Sequence, residues 1–265
     1  MSSTRPPHLG IAYDDLGSGV PIVFVHGFPL QRAIWKPQLR GLGQLCRCIA
    51  PDLRGFGESL VEGPYSMDRY ADDIAELLDA CSVRRAVIAG CSMGGYITFA
   101  FWRRHSERVL GLVLCDTKPG ADSESGLVRR REMASVAREL GSSAIADTMI
   151  ASLLGPSTRR RCPEVVREVH AMIAGAPVDG VVGAIEAMMA RPDSTPTLES
   201  IDVPTLVVTG EEDAIAPVSE ARSMSEAIRG SVLELIPGAG HLCNIERPAA
   251  FNSAFAAFLT RLGAS

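Results

Sequence analysis

No stretch of the chain is apolar for long enough to cross a membrane. The longest apolar runs have the length of a strand, whereas a membrane-spanning helix needs about 20 residues. Residues 1–7 lack the apolar centre of a secretory signal. The seven cysteines form an odd set without C-x-x-C spacing, and no histidine or cysteine pair has the spacing of zinc ligands. We therefore expect no membrane partner, a cytoplasmic location, reduced cysteines, and neither a metal nor a cofactor.

Lysine is also scarce, since it occurs only at Lys36 and Lys118 and the other cations are arginines. The net charge of -5 argues against nucleic acid as the main partner. With 265 residues, 46% of them hydrophobic, the chain is long enough to bury a large core. We expect a globular protein, a monomer or a small homo-oligomer, with no nucleic-acid partner.

Short apolar runs that alternate with helical stretches make up most of the chain. An unbroken apolar run such as 21–25 is typical of a strand that is covered on both faces. Strand-like runs lie at 9–14, at 20–26, up to residue 50, and at 86–90, 111–115, 205–209 and 232–236, and helical stretches at 31–43, 67–81, 95–104, 217–229 and 247–262. This alternation predicts an α/β fold with a mostly parallel, twisted sheet flanked by helices.

One long segment breaks the alternation. From about residue 122 to residue 191 the sequence has helical periodicity and no strand-like run. It holds five of the nine methionines, namely Met133, Met149, Met172, Met188 and Met189. We predict a core of residues 1–118 and 199–265 and a helical cap of residues 119–198. We expect most of the cap methionines to pack between helices and some of them to line an apolar pocket.

The sequence Gly90-Cys91-Ser92-Met93-Gly94 has the G-x-S-x-G pattern between a predicted strand and a predicted helix. At such a junction the turn is so tight that the residues two before and two after the serine must be small. Ser92 then projects into solvent as a nucleophile, and the amide of Met93 stands at a helix N-terminus, where it can donate to an oxyanion. A second donor is expected from the loop after strand 21–25, at the amide of Phe28.

A serine nucleophile needs a base and an acid that orients the base. His241 follows the strand at 232–236 through a glycine-rich loop, and Asp213 follows the strand at 205–209. Both therefore come from loops at the carboxyl end of the sheet. Asp116, Glu211 and Glu212 compete with Asp213 for the position of the acid. His170, inside the helical segment, is expected on the cap surface, and His26 is expected to brace its own loop.

Several of these stretches together resemble the α/β-hydrolase superfamily over nearly the whole chain. The matching stretches are 26–30 (HGFPL), 52–59 (DLRGFGES), 90–95 (GCSMGG), 210–213 (GEED) and 240–241 (GH). Within the superfamily the chain is most similar to small capped esterases and to 3-oxoadipate enol-lactonases. This likeness rests on residues 64–67 (PYSM) and on residues 92–95 (SMGG) of the tight turn around Ser92, which we call the elbow. The resemblance implies the α/β-hydrolase fold. Cys91 departs from it, since relatives commonly have histidine or another polar residue there.

These residues predict the hydrolysis of a carboxylic ester or lactone through an acyl-serine, by Ser92, His241 and Asp213. Perhydrolysis and carbon–carbon bond hydrolysis use the same three groups and stay open, and a non-catalytic ligand receptor is a further alternative. Asp52 and Arg54 are expected to brace a turn. The arginine runs at 129–131 and 159–161 are expected on solvated cap faces, unless one arginine holds a carboxylate of the substrate.

Overall fold

The computed structural model describes residues 3–4 and 10–263. Its eight strands form one sheet in the order β1-β2-β4-β3-β5-β6-β7-β8. The strands are β1 (Ser3–Thr4), β2 (Tyr13–Leu16), β3 (Pro21–Val25), β4 (Arg47–Pro51), β5 (Ala86–Cys91), β6 (Val109–Cys115), β7 (Thr205–Gly210) and β8 (Val232–Ile236). The pairings of β1 with β2 and of β2 with β4 are antiparallel, and all the others are parallel. The predicted α/β class and mostly parallel sheet are confirmed.

The helices follow the predicted order around this sheet. They are α1 (Lys36–Leu42), α2 (Met67–Ala80), α3 (Met93–His105), α4 (Glu124–Leu153), α5 (Pro156–Arg161), α6 (Pro163–Ala174), α7 (Val178–Met189), α8 (Val218–Ala227), α9 (Cys243–Glu246) and α10 (Pro248–Gly263). Three short 3-10 helices cover Arg32–Trp35, Ser106–Arg108 and Thr195–Ser200. The short helix α9 was absent from the sequence prediction.

The predicted strand over residues 9–14 is misplaced. Residue 9 lies outside the described residues, and the strand begins at Tyr13. Gly10 has a φ of 63°, which turns the chain away from an extended path. Pairing starts where β2 meets β4, with Tyr13 opposite Pro51.

An aromatic cluster fastens the C-terminal helix to the sheet. Phe24 of β3 lies 5.1 Å from Trp35 and 5.4 Å from Phe255 of α10, measured between ring centroids. All three side chains are fully buried. Each such pair adds about 0.5–1.5 kcal/mol beyond the burial of apolar area. This packing keeps α10 on the sheet and leaves the carboxyl ends of β5, β7 and β8 free to carry the site.

Helices α4 to α7 fill the segment predicted as a cap, and no strand lies between β6 and β7 in the described chain. The core and cap boundaries at residues 118 and 199 stay a prediction. Helix α4 is broken at Gly141, where φ is 80° and ψ is 176°, a conformation that glycine adopts without strain. Gly180 of α7 sits so close to Gly55 that a Cβ would clash with that backbone. The segment is thus docked directly on a core loop.

Among the described residues, no single helix combines the length and hydropathy of a membrane span. The pair α6 and α7 meets those criteria only when taken together, across a bend of 92°.

Candidate active site

Ser92 occupies a strained turn between β5 and α3. Its φ of 54° and ψ of -114° are rare for a residue with a side chain. The Ser92 N–H donates to the Cys115 carbonyl at 2.9 Å, and the Thr117 hydroxyl donates to the Ser92 carbonyl at 2.8 Å. A Cβ at Gly90 would overlap the Gly94 carbonyl. The turn therefore needs the small residues that the motif predicts.

Three side chains from three loops form one hydrogen-bonded chain. The Ser92 Oγ lies 2.8 Å from His241 Nε2, and His241 Nδ1 lies 2.8 Å from Asp213 Oδ2. The other Asp213 oxygen accepts the N–H groups of Ile215 at 2.8 Å and Ala216 at 2.9 Å. These bonds fix the carboxylate, which in turn favours the tautomer with a proton on Nδ1 and a free Nε2 facing the hydroxyl.

His241 is almost completely buried, and burial alone would lower its pKa. Burial is the largest single effect, but the charge and the hydrogen bond of the adjacent Asp213 carboxylate, together with two further carboxylates, outweigh it and raise the pKa of His241 above its usual value. Asp116 and Glu246 act in the same direction from farther away. The imidazole is thus a base whose cation the surrounding carboxylates stabilise.

The competing acids have other partners. Asp116 is buried, and its oxygens accept the N–H groups of Gly210 at 2.9 Å and Cys243 at 3.0 Å. Burial, with the Asp213 carboxylate nearby, raises the pKa of Asp116 to about 6. Glu212 accepts bonds from the backbone and the hydroxyl of Ser157, and Glu211 is exposed. Of the four candidate acids, only Asp213 hydrogen-bonds His241 in the described chain.

Two further histidines, His26 and His170, lie where they are expected from the sequence. His26 is buried, its Nδ1 donates to the Gly27 carbonyl, and its Nε2 accepts the Leu53 N–H at 2.9 Å. Burial lowers its pKa, so it stays neutral and braces its loop. His170 bonds Asp147 on the cap, at 2.8 Å.

The two predicted oxyanion donors both border the serine. Met93 is the first residue of α3, and its N–H belongs to the helix terminus that has no intrahelical acceptor. Gly27 packs against the elbow, where an added Cβ would lie 3.1 Å from the Ser92 Cβ. In the described part of the chain, no protein group accepts from the N–H of Phe28 or Met93. Both amides are available to a ligand.

Asp52 and Arg54 hold the loop after β4, as the sequence analysis expects. Asp52 accepts the N–H groups of Arg32 and Glu58, both at 2.8 Å. Arg54 pairs with Asp73 of α2 at 2.7 Å. In the part of the chain that the structure describes, neither residue hydrogen-bonds to Ser92, His241 or Asp213.

Cys91, Cys115 and Asp116 bring three potential metal ligands within 4.8 Å of one another behind the elbow. They do not fit a metal site. The Cys115 thiol already donates to Asp116, whose oxygens both accept backbone amides. Burial raises the pKa of the Cys115 thiol, which disfavours the thiolate that a metal binds. The group is therefore part of the packing under Ser92.

A cavity of about 540 Å³ lies between the sheet edge and the cap, and its described lining does not include Ser92, His241 or Asp213 themselves. Its lining includes Tyr96, Lys118, Met133, Met149 and Ile215. Tyr96 follows Ser92 by one turn of α3, and the Ile215 amide bonds Asp213. The cavity thus adjoins the elements that carry the serine and the acid. Its cap side supplies both methionines, so some cap methionines line a pocket.

Glu246 is a buried residue at the site that the sequence analysis missed. It is the last residue of α9, and its carboxylate accepts three backbone amides around His241 and in the cap. No pattern in the sequence marks it, because a glutamate five residues after the histidine is as compatible with an exposed helix as with a buried one.

Comparison with known proteins identifies the family. Residues 20–248 match the family described as alpha/beta hydrolase fold. The chain belongs to this family. It is an enzyme of the alpha/beta hydrolase superfamily, and the predicted fold and resemblance to esterases and enol-lactonases are confirmed.

Three known proteins are similar to this alpha/beta hydrolase over most of its length. A thermophilic esterase from Thermogutta terrifontis, solved with malate bound, is 42% identical with a TM-score of 0.93, over 95% of this chain and 93% of that one. The 3-oxoadipate enol-lactonase 2 of Acinetobacter baylyi is 29% identical over 91% of this chain and 88% of its own length. A non-heme haloperoxidase of Rhodococcus erythropolis is 32% identical over 89% of this chain and 90% of its own length.

Proposed function

We propose that this alpha/beta hydrolase cleaves carboxylic esters or lactones through an acyl-serine intermediate. The observation that carries the proposal is the unbroken hydrogen-bond chain Ser92–His241–Asp213, beside two backbone amides, of Phe28 and Met93, that have no acceptor among the described residues. A serine hydroxyl is a weak nucleophile by itself, and this arrangement supplies the base, the group that orients the base, and the oxyanion donors.

In the first half-reaction Ser92 Oγ attacks the substrate carbonyl while His241 Nε2 takes the hydroxyl proton. Asp213 stabilises the imidazolium that forms. The carbonyl oxygen becomes an oxyanion, which the N–H groups of Phe28 and Met93 bind. Collapse of this intermediate breaks the bond between the carbonyl carbon and the alkoxy oxygen of the ester, and the leaving alkoxide takes the proton from His241.

In the second half-reaction a water molecule gives a proton to His241 and attacks the acyl-serine carbonyl. The same amides bind the second oxyanion. When it collapses, the carboxylic acid leaves, and Ser92 regains its proton from His241. With a lactone, the alcohol and the acid are released as one molecule.

We propose that the substrate carries an anionic group at a distance from the scissile carbonyl. The cavity between the sheet edge and the cap is lined by Lys118, Arg129 and Arg130, whereas Asp122 is the one carboxylate among its described lining residues. Burial alone would raise the pKa of Asp122, but its arginine partners hold it at about 2, so this carboxylate is already neutralised. In the described chain Lys118 and Arg129 form no ion pair. The enol-lactonase relative and the malate-bound esterase support an acidic substrate.

A pair of esters tests both proposals. Purified protein is assayed with p-nitrophenyl butyrate and with the mono-p-nitrophenyl ester of succinic acid. We expect release of p-nitrophenol from both and a higher kcat/KM for the acidic ester. The double variant Lys118→Gln/Arg129→Gln should reduce the acidic-to-neutral ratio of kcat/KM by about tenfold. The control Arg131→Gln alters an exposed arginine on the same helix that does not line the cavity, and should leave the ratio unchanged.

The outcomes separate the two proposals. Folded protein that releases no p-nitrophenol from any ester or lactone of a graded panel contradicts the hydrolase assignment and favours a binding role. Turnover with an unchanged ratio in the double variant contradicts the anionic substrate alone.

A second candidate is perhydrolysis, which the haloperoxidase relative favours. Hydrogen peroxide would replace water in the second half-reaction, and a peracid would leave Ser92 in place of the carboxylic acid. Formation of peracetic acid from acetate ester and peroxide at a rate above that of acetate formation would establish it. A rate far below that of hydrolysis would contradict it.

A further inference from the structure

Glu246 binds the loop that carries His241 on both sides of the histidine. Its Oε1 accepts the N–H groups of Gly240 at 2.9 Å and Leu242 at 3.2 Å. Glu246 is only 4% exposed. Buried hydrogen bonds to a charged acceptor are stronger than those between neutral groups, so the contact holds the loop firmly.

The remaining amide of this tripeptide is held by the cap. The N–H of His241 itself donates to the carbonyl of Leu153, the last residue of α4, at 3.0 Å. The second oxygen of Glu246 accepts the N–H of Gly155, at 2.9 Å. Residues 240, 241 and 242 are therefore fixed by one carboxylate and one cap carbonyl, and the same carboxylate holds the cap two residues further on.

The backbones are also in direct contact here. A Cβ at Gly240 would lie 2.8 Å from the Gly155 Cα and closer still to its nitrogen. Neither loop can move without shifting the other. A displacement of the cap at Leu153 or Gly155 must change the position of the imidazole or break bonds to Glu246.

We propose that Glu246 is a positioning residue that couples the docking of the cap to the orientation of His241. The inference rests on the proposed function, in which His241 is the base. It adds that the base is correctly placed only when the junction of α4 and α5 is seated on the carboxylate. A displacement of about 1 Å at a reacting group can lower a rate a hundredfold, so this contact is expected to govern kcat.

The charges that face His241 are Asp213 from the β7 loop, Asp116 at the end of β6, and Glu246 from α9, and the Ser92 hydroxyl faces its other nitrogen. All three carboxylates raise the pKa of His241. The protonated imidazole cannot accept the serine proton, so activity is lost as pH falls through this pKa. Removal of the Glu246 charge lowers the pKa and moves the acid limb of the kcat profile to lower pH.

Glu246→Gln is the test, because glutamine keeps the size but loses the charge, and its amide N–H₂ would face a backbone donor. Glu212→Gln is the matched control. Glu212 also binds the cap, at Ser157, but has no bond to residues 240–242. With p-nitrophenyl acetate over pH 5–9, we expect Glu246→Gln to lower kcat about 10- to 100-fold with KM nearly unchanged, and to shift the acid limb downward. Glu212→Gln should keep kcat and the limb of the wild type.

Glu246→Asp separates charge from reach, since aspartate keeps the charge but is one methylene too short to bind both loops. We expect a lower kcat with the acid limb in its original place. Any of three results would overturn the inference. Glu246→Gln could keep the kcat of the wild type, Glu212→Gln could lose as much kcat as Glu246→Gln, or Glu246→Gln could lose kcat while its acid limb stays in place. Should Glu246→Gln fail to fold, a wild-type kcat in folded Glu246→Asp would overturn it as well. An absence of ester turnover in the wild type would instead contradict the proposed function.

Discussion

Side chains are held differently in two regions of the molecule, the carboxyl edge of the sheet, where β5, β7 and β8 end, and the cap. At the sheet edge, Ser92, His241 and Asp213 stand on short loops after parallel strands, and each is fixed by backbone hydrogen bonds. In the cap, Leu140 is 68% exposed and α4 is broken at Gly141. The edge thus holds its three side chains through backbone hydrogen bonds, whereas the longest cap helix is interrupted beside an exposed leucine. We infer that the edge determines the reaction and the cap determines the substrate.

The largest effect expected from this comparison is at Ser92. Ser92→Ala should lower kcat by a factor on the order of 10⁴–10⁶ for every ester, with the fold intact by circular dichroism. Cys91→Ser is the internal control. The Cys91 side chain is buried behind the elbow, so this variant should keep most of the activity. A loss below tenfold in folded Ser92→Ala would mean that the edge does not determine the reaction.

Two buried aspartates on the same edge provide the next test. Asp213→Asn should cost on the order of 10⁴ in kcat, because the amide favours the wrong imidazole tautomer. Asp116→Asn loses one acceptor for a backbone amide and no bond to His241, so a much smaller loss is expected. The reverse order in steady-state kinetics would assign the acid to Asp116. His241→Ala combined with Ser92→Ala should add little to Ser92→Ala alone, since the three groups act as a unit.

The cap should give the smallest effect and the most selective one. Met149→Ala removes an apolar wall of the cavity and should reduce kcat/KM about tenfold for the longest acyl chain that is accepted, and far less for acetate. Met172→Ala is the control, because Met172 lies in a separate groove with Ile34 and Val165. An acyl-length profile that stays flat in Met149→Ala would show that the cap does not select the substrate.

The sequence could predict the edge because its chemistry depends on local backbone geometry. A tight turn requires Gly90 and Gly94 whatever surrounds it. A loop that follows a parallel strand must begin at the carboxyl edge of the sheet, and this places Asp213 and His241 near Ser92. The α/β class and the mostly parallel sheet follow from the alternation of strand and helix.

The rest depends on contacts between distant parts of the chain. Glu246 and Gly155 are 91 residues apart, and their hydrogen bond follows from how α4 and α9 pack, which no spacing reveals. The start of β2 was misplaced for a similar reason, since it is set by pairing with β4. The lining of the cavity also depends on the packing of cap helices against Tyr96 and Ile215.

The central claim is that Ser92 forms the covalent intermediate, and active-site labelling tests it most directly. Wild-type protein and Ser92→Ala are treated with diethyl p-nitrophenyl phosphate, which phosphorylates activated serines irreversibly, and the adduct is located by peptide mass spectrometry. We predict one diethyl phosphate per chain on Ser92 of the wild type and none on Ser92→Ala. A label on another residue, or equal labelling of the two proteins, would contradict the account.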